Sequence, residues 1–183
     1  MASTESALVV ARWFLAKAAA ADADLSNLKL QKLLYYAQGR YLARTGRALF
    51  PEPIEAWDHG PVVSTVYHAC KGYGSGPVGL DVLSGWSQAA IDREAERILD
   101  AVWAEEGSLA AWKLRQMTHR EAPWRDSFDG SRHKVIPVDA IREYFSSQHA
   151  ARNLSIEAAF AEWADESLQL ADEFLPVSSK VEW

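Results

Sequence analysis

Five histidines, one cysteine and several close carboxylate pairs are the groups in this 183-residue chain that could do chemistry. A metal site needs three or four convergent ligands. His59, His68, His119, His133 and His149 contain no pair at metal-ligand spacing, and His68 and Cys70, two apart, point to different faces of a helix. No metal and no cofactor is therefore expected. Cys70 falls on an apolar helical stripe and reads as a small buried hydrophobe, not a thiolate. No serine sits in a GxSxG turn. The pairs Asp22/Asp24, Glu94/Glu96 and Glu105/Glu106 read as solvated faces or helix ends, and nothing singles one out for acid–base work. The glycines of GYGSGPVG (72–79) lack the Lys-Ser/Thr of a phosphate loop and follow a helix, so they form a connector.

His59 and the tryptophans carry more information. His59 precedes Gly60-Pro61, where it either contacts a ligand or acts as a base, or else hydrogen-bonds locally to lock the turn. Of eight tryptophans, Trp13, Trp112 and Trp163 lie on helical stripes and read as core. Trp57 and Trp124 sit beside prolines and irregular segments, where an indole can lie partly exposed and anchor a partner. The candidate partner-binding residues are thus Trp57, His59, His119 and Trp124, lining a shared groove. The competing reading is that the two rings pin loops to the core.

Helical periodicity must position these groups. Residues 5–20 predict a helix capped by Ser3 or Thr4. Ser26 starts a second, with Leu30, Leu33, Leu34, Ala37 and Tyr41 on one face and Gly46 as its stop. Ile54 to Trp57 is a short edge strand in a proline-broken segment. Pro61 suits the first turn of a helix bearing Val63, Val66, Tyr67 and Cys70. After a Gly72–Gly85 loop, Ser84 or Ser87 restarts helix, with Ile91, Ala95, Ile98, Leu99 and Val102 inward and Gly107 at its end. Ser108 caps a shorter helix with Leu109, Trp112 and Met117, and residues 126–136 are polar loop. Pro137 begins a helix with Ile141, Tyr144 and Phe145, and a separate last helix spans about Ser155 to Phe174, with Ile156, Phe160, Trp163 and Leu170, before a loose tail after Pro176. The fold class is mainly α: a compact multi-helix single domain with a minor short β element around residues 54–57.

Composition narrows the function. A chain with 49% hydrophobic and 24% charged residues folds without staples, and a lone cysteine points to a reducing compartment, the cytoplasm. The net charge of −6 disfavours a nucleic-acid binder or a transcriptional autoregulator and suits a basic protein partner. No apolar run suggests a membrane span or a secretory leader.

Three blocks, NLKLQKLLYYAQG, LFPEPIEAWDHGPVVSTVY (49–67) and LRQMTHREAPWRDSF (114–128), occur in the order and spacing of the Panacea domain family, which this chain resembles. That family includes SocA-like antitoxins and phage-associated proteins. The resemblance implies a Panacea-like domain over 1–149; a helical extension with a tail over 150–183 lies beyond the part it covers. It implies an antitoxin, not an enzyme, that neutralises a cognate toxin by direct contact. The alternative it implies is a proteolytic adaptor that delivers the toxin to the ClpXP protease. From another class, an enzyme with a site near His59 and His119 is the runner-up. The family's signature positions fall on Lys29, Leu30, Gln31, Lys32, Leu33, Tyr35, Tyr36 and Gln38. They continue at Trp57, Gly60, Pro61 and Val62, and at Thr118, His119, Pro123 and Trp124. Where members meet diverse toxins, a shared motif such as the α-helical leucines, Gly60 and Pro61 is expected to hold the scaffold.

Overall fold

In the computed structural model the described residues are 6–86, 91–131 and 133–174, with side chains followed through Ala164 and at Ser167. They form two units, residues 1–146 and 147–183. In the first unit, α1 (Ala7–Ala20) and α2 (Asn27–Thr45) lead into a hairpin of β1 (Glu55–Trp57) and β2 (Gly60–Val62). Then come α3 (Ser64–Cys70), α4 (Arg93–Glu106), α5 (Ala111–Arg120), α6 (Ala122–Arg125) and the start of α7 (Val138–Phe174), whose remainder belongs to the second unit. Among the described residues the molecule is mainly α, with one small antiparallel sheet. Among the described residues no helix is long and apolar enough to cross a membrane.

The core is built around α2. Leu30, Leu33, Leu34, Tyr35 and Ala37 are fully buried, and α1, α3, α4, α5 and β2 all pack against this one helix. The Ser26 hydroxyl caps it by accepting from the Lys29 amide, and Gly46 closes it in the left-handed region at φ 70°. Gly39 lets α7 approach, because a Cβ there would stand 2.2 Å from the Phe145 ring. Polar side chains of α2 clamp α4: Lys29 donates to the Gly107 carbonyl at 2.6 Å, and Arg40 pairs with Glu105 and Glu106.

The polar residues that α2 buries have a different task. Segment 49–63 is irregular or extended, and its backbone groups need partners away from water. Gln38 supplies three: its Oε1 accepts from the amides of Leu49 and Phe50, and its Nε2 donates to the Phe50 carbonyl. Gln31 Oε1 accepts from the Val63 amide at 2.8 Å, and Asn27 Nδ2 donates to the Tyr67 carbonyl at 3.2 Å. Lys32, fully buried, donates to the Pro61 carbonyl at 2.9 Å.

Several expected elements take a different form. Gly60-Pro61 does not open a helix. Gly60 adopts φ 101° after the Asp58-His59 turn, Gly60–Val62 pairs with Glu55–Trp57, and helix starts only at Ser64. Residues 134–136 continue this pairing, with the Ala56 amide donating to the Lys134 carbonyl and the Ile136 amide to the Ile54 carbonyl. Ser6 caps α1, Asp92 caps α4, and α5 begins at Ala111 without a side-chain cap; Ser3, Thr4 and Ser87 lie outside the described residues. The Gly72–Gly85 segment holds two 3-10 turns and buries Val78 and Leu83. The two helices expected from Pro137 onward are one, α7, because residues 146–155 contain no proline or glycine to break it. The Leu170 side chain and the tail after Pro176 lie outside the described side chains.

Gln38→Leu keeps the volume of this core site and strips three backbone groups of their partner. Unpaired buried polar groups cost ~1–3 kcal/mol each. Urea denaturation is expected to show a loss of about 2–4 kcal/mol; a variant as stable as the parent contradicts the assignment.

Candidate partner-binding site

The hairpin turn and one face of α5 form a strip of aromatic and basic side chains. Asp58 and His59 are exposed at the turn. Trp57, half-buried just before it, meets Tyr67 edge-on at 4.9 Å between ring centroids and His133 at 5.8 Å. Its indole N–H donates to Glu55 Oε2 at 2.7 Å, and His133 Nδ1 lies 3.2 Å from the same oxygen. On the other side of the turn, Arg115 Nη2 donates to the Asp58 carbonyl at 3.2 Å. The same guanidinium lies 4.7 Å over the ring of Trp112, which is 59% exposed. The strip thus runs from Trp112 through Arg115 and the turn to Trp57, Tyr67 and His133.

Beneath it lies a second layer. His119 stacks on Trp124 at 3.8 Å with the rings 17° apart, and Trp124 stacks on Phe128 at 4.7 Å. The Trp124 indole donates to the Trp57 carbonyl at 2.9 Å, so this ring holds the hairpin from below. Gly60 is the point of closest approach: a Cβ there would stand 2.8 Å from Lys32 Nζ and 2.9 Å from Thr118 Oγ1. Behind α5, Tyr36 donates to Glu121 at 2.9 Å, and burial raises that carboxyl above its ordinary range.

The structure therefore brings Trp57, His59, His119 and Trp124 to one hairpin but divides them. Trp57 and His59 reach the surface. Trp124 is only 7% exposed, and His119 is half-buried against it. The motif residues Leu30, Gln31, Lys32, Leu33, Tyr35, Tyr36 and Gln38 are all buried, and Lys29 reaches α4. Gly60 and Pro61 are buried under Lys32. Trp112 corrects the reading of stripe tryptophans as core, as does Trp163 at 65% exposure, whereas Trp13 is buried. Trp112, Arg115, Tyr67 and His133 join the site without having been singled out. The i, i+3 spacing of Trp112 and Arg115 is a local signal of a cation–π pair. Nothing local marks His133, which arrives through the long-range pairing of residues 134–136.

The electrostatics of the layer are set by crowded bases. Burial, with Arg115, Lys32 and His59 nearby, pushes the His119 imidazole down to about 4, so it is neutral at pH 7. Burial and Arg115 push the Lys32 ammonium down to about 7. Among the described residues no group of three or more His, Cys, Asp or Glu is placed to hold a metal ion.

Residues 30–125 match the family described as antitoxin SocA-like, Panacea domain. The match runs from the first core leucine of α2 to the end of α6 and so includes the hairpin and α5, but not Phe128 or His133. Antitoxin SocA of Caulobacter vibrioides (strain NA1000 / CB15N) is 36% identical over 127 residues, 64% of this chain and 68% of that protein. No solved structure matches the chain.

Lys32 makes stability depend on pH. Below pH 7 both folded and unfolded chains carry its proton, and the full cost of burying the charge is felt. Between about 7 and 10 the unfolded lysine keeps a proton that the folded one has released, so its contribution to stability rises with pH. Urea denaturation of the parent and of Lys32→Met at pH 7 and pH 9 is expected to show the parent gaining on the variant. A difference that stays constant contradicts a buried, near-neutral amine.

Proposed function

The chain belongs to the SocA-like antitoxin family with a Panacea domain, and from that membership we propose that it is an antitoxin that binds a cognate toxin protein directly through the Trp112–Arg115–Trp57 strip. The observation that carries the reading is the partly exposed row of Trp112, Arg115, Trp57 and Tyr67, tied together by a cation–π contact and edge-on rings. Trp, Tyr and Arg are the residues that dominate binding energy at protein interfaces. Here they are pre-ordered: Arg115 is held by the Asp58 carbonyl and Trp57 by Glu55, which lowers the entropy lost on docking. The buried motif of α2 supports the strip without touching the partner, which suits a scaffold able to carry different contact residues.

This arrangement supports binding over catalysis. His119 is stacked under Trp124 and neutral, and His59 stands at an exposed turn. The reading places both proteins in the cytoplasm and makes masking of the toxin sufficient. Toxin abundance separates masking from delivery to ClpXP: masking leaves the level unchanged on co-expression, whereas delivery lowers it unless the protease is removed.

The neighbouring reading frame supplies the test. Its product is expected to arrest growth when expressed alone and to be rescued by this chain. By calorimetry, Trp112→Ala and Trp57→Ala are each expected to weaken binding about 10- to 100-fold, Trp112→Ala with an unchanged melting temperature. Trp124→Ala is expected to act on folding instead, at about 3–5 kcal/mol. Affinity unchanged in both surface variants, or lost only as folding is lost, removes the strip from the account.

A further inference from the structure

The net charge of −6 sits entirely at one end of the chain. Residues 1–152 carry eighteen acidic and eighteen basic side chains, and residues 153–183 carry seven acidic against one basic, Lys180. Between Asn153 and Ser179 there is no lysine or arginine, while Glu157, Glu162, Asp165, Glu166, Asp172 and Glu173 all occur. This stretch begins inside the part of α7 that belongs to the second unit, beyond the family match at residues 30–125.

The described part of that stretch carries an exposed aromatic stripe, while Leu154, 66% exposed, falls on the opposite face. Ile156, Phe160 and Trp163 follow i, i+4, i+7 spacing and so share one face of the helix. All three are exposed, Phe160 at 66%. At about 100° per residue, the exposed Glu157 and Glu162 fall on opposite flanks of that stripe. Two large aromatics and an isoleucine left open to water, rimmed by acids, mark a docking face. A second copy of the same helix fits poorly, since it would set acids against acids with no base to offset them. A cleft that is apolar at its floor and lined by lysine and arginine at its rim matches both features.

We propose that α7 from Asn153 to Ala164 is a second docking element, which lays Ile156, Phe160 and Trp163 into an apolar groove rimmed by lysines and arginines on the toxin. The identity of that partner rests on the antitoxin reading; the chemistry of the groove rests on the helix alone. This is the helix-in-groove mode of recognition, with anchors at i, i+4 and i+7. Because the rest of the chain is electroneutral, this segment also supplies the long-range field that steers the two proteins together.

The test uses the full chain and the purified product of the neighbouring reading frame. Phe160→Ala/Trp163→Ala removes the anchors while alanine preserves helix. It is expected to weaken binding at least 30-fold, with melting temperature and helical circular dichroism unchanged. Glu157→Lys/Glu162→Lys is expected to slow association about tenfold at low salt and to flatten its salt dependence. Parent-like binding by both variants overturns the proposal. So does a fall of more than about 5 °C in melting temperature in the alanine variant, which would mean the face packs within the chain. A parent dimer on gel filtration that the same variant dissociates overturns it in favour of a second copy. A parent chain that fails to bind the neighbouring product removes the antitoxin reading and this one with it. Parent binding with unaffected helix variants removes this one only.

Discussion

The amide of Gln38 closes three hydrogen bonds on Leu49 and Phe50, and the rest of the site depends on that kind of contact. Between α2 and α3 the chain runs about twenty residues without helical hydrogen bonds, yet much of it is buried. Such a segment can stay buried only if another element satisfies its backbone. α2 does so with Gln38, Gln31 and Lys32, which reach Leu49, Phe50, Pro61 and Val63 in turn. The hairpin that carries Trp57 and His59 hangs from these contacts.

That division of labour explains why one helix carries both leucines and buried polar groups. Leu30, Leu33, Leu34 and Ala37 bury apolar area against α1, α4 and α5. Gln31, Lys32 and Gln38 beside them are buried too, and each is matched to specific backbone atoms of the irregular segment. The cost of desolvating an ammonium appears in Lys32, whose proton is weakly held. Lys32, Thr118 and Gly60 meet at one point, so the hairpin and α5 cannot shift independently. The strip formed by Trp112, Arg115 and Trp57 is therefore a rigid feature of the fold, although its members come from separate elements.

Much of this was legible in the residues. Local periodicity identifies α1, α2 and α4, and Ser26 and Gly46, acting over a few residues, also mark the ends of α2; the caps of α1 and α4, Ser6 and Asp92, were not the ones expected. The strand expected at Ile54–Trp57 from its proline-broken segment appears as Glu55–Trp57. Gly60–Val62 was not legible as a strand, because proline also suits a first helical turn and the deciding partners, Glu55–Trp57 and residues 134–136, are a hairpin and a long-range pairing. Stripe logic handled Trp13 and misplaced Trp112 and Trp163, since periodicity reports which face is apolar and not whether anything covers it. Trp124 went the other way: a proline neighbour suggested the surface, but its stack with His119 and Phe128 buries it. The three sequence blocks located the hairpin and α5 as one region; the partition into contact layer and supporting layer needed three dimensions.

The central claim is that a toxin docks on the strip that α2 holds in place. Amide hydrogen exchange on the full chain, free and saturated with the neighbouring reading frame's product, reads this directly. The account predicts that protection on binding appears in residues 55–62 and 111–120, while the amides of α2, already buried in the free chain, change little. Protection that leaves both of those segments unchanged contradicts it.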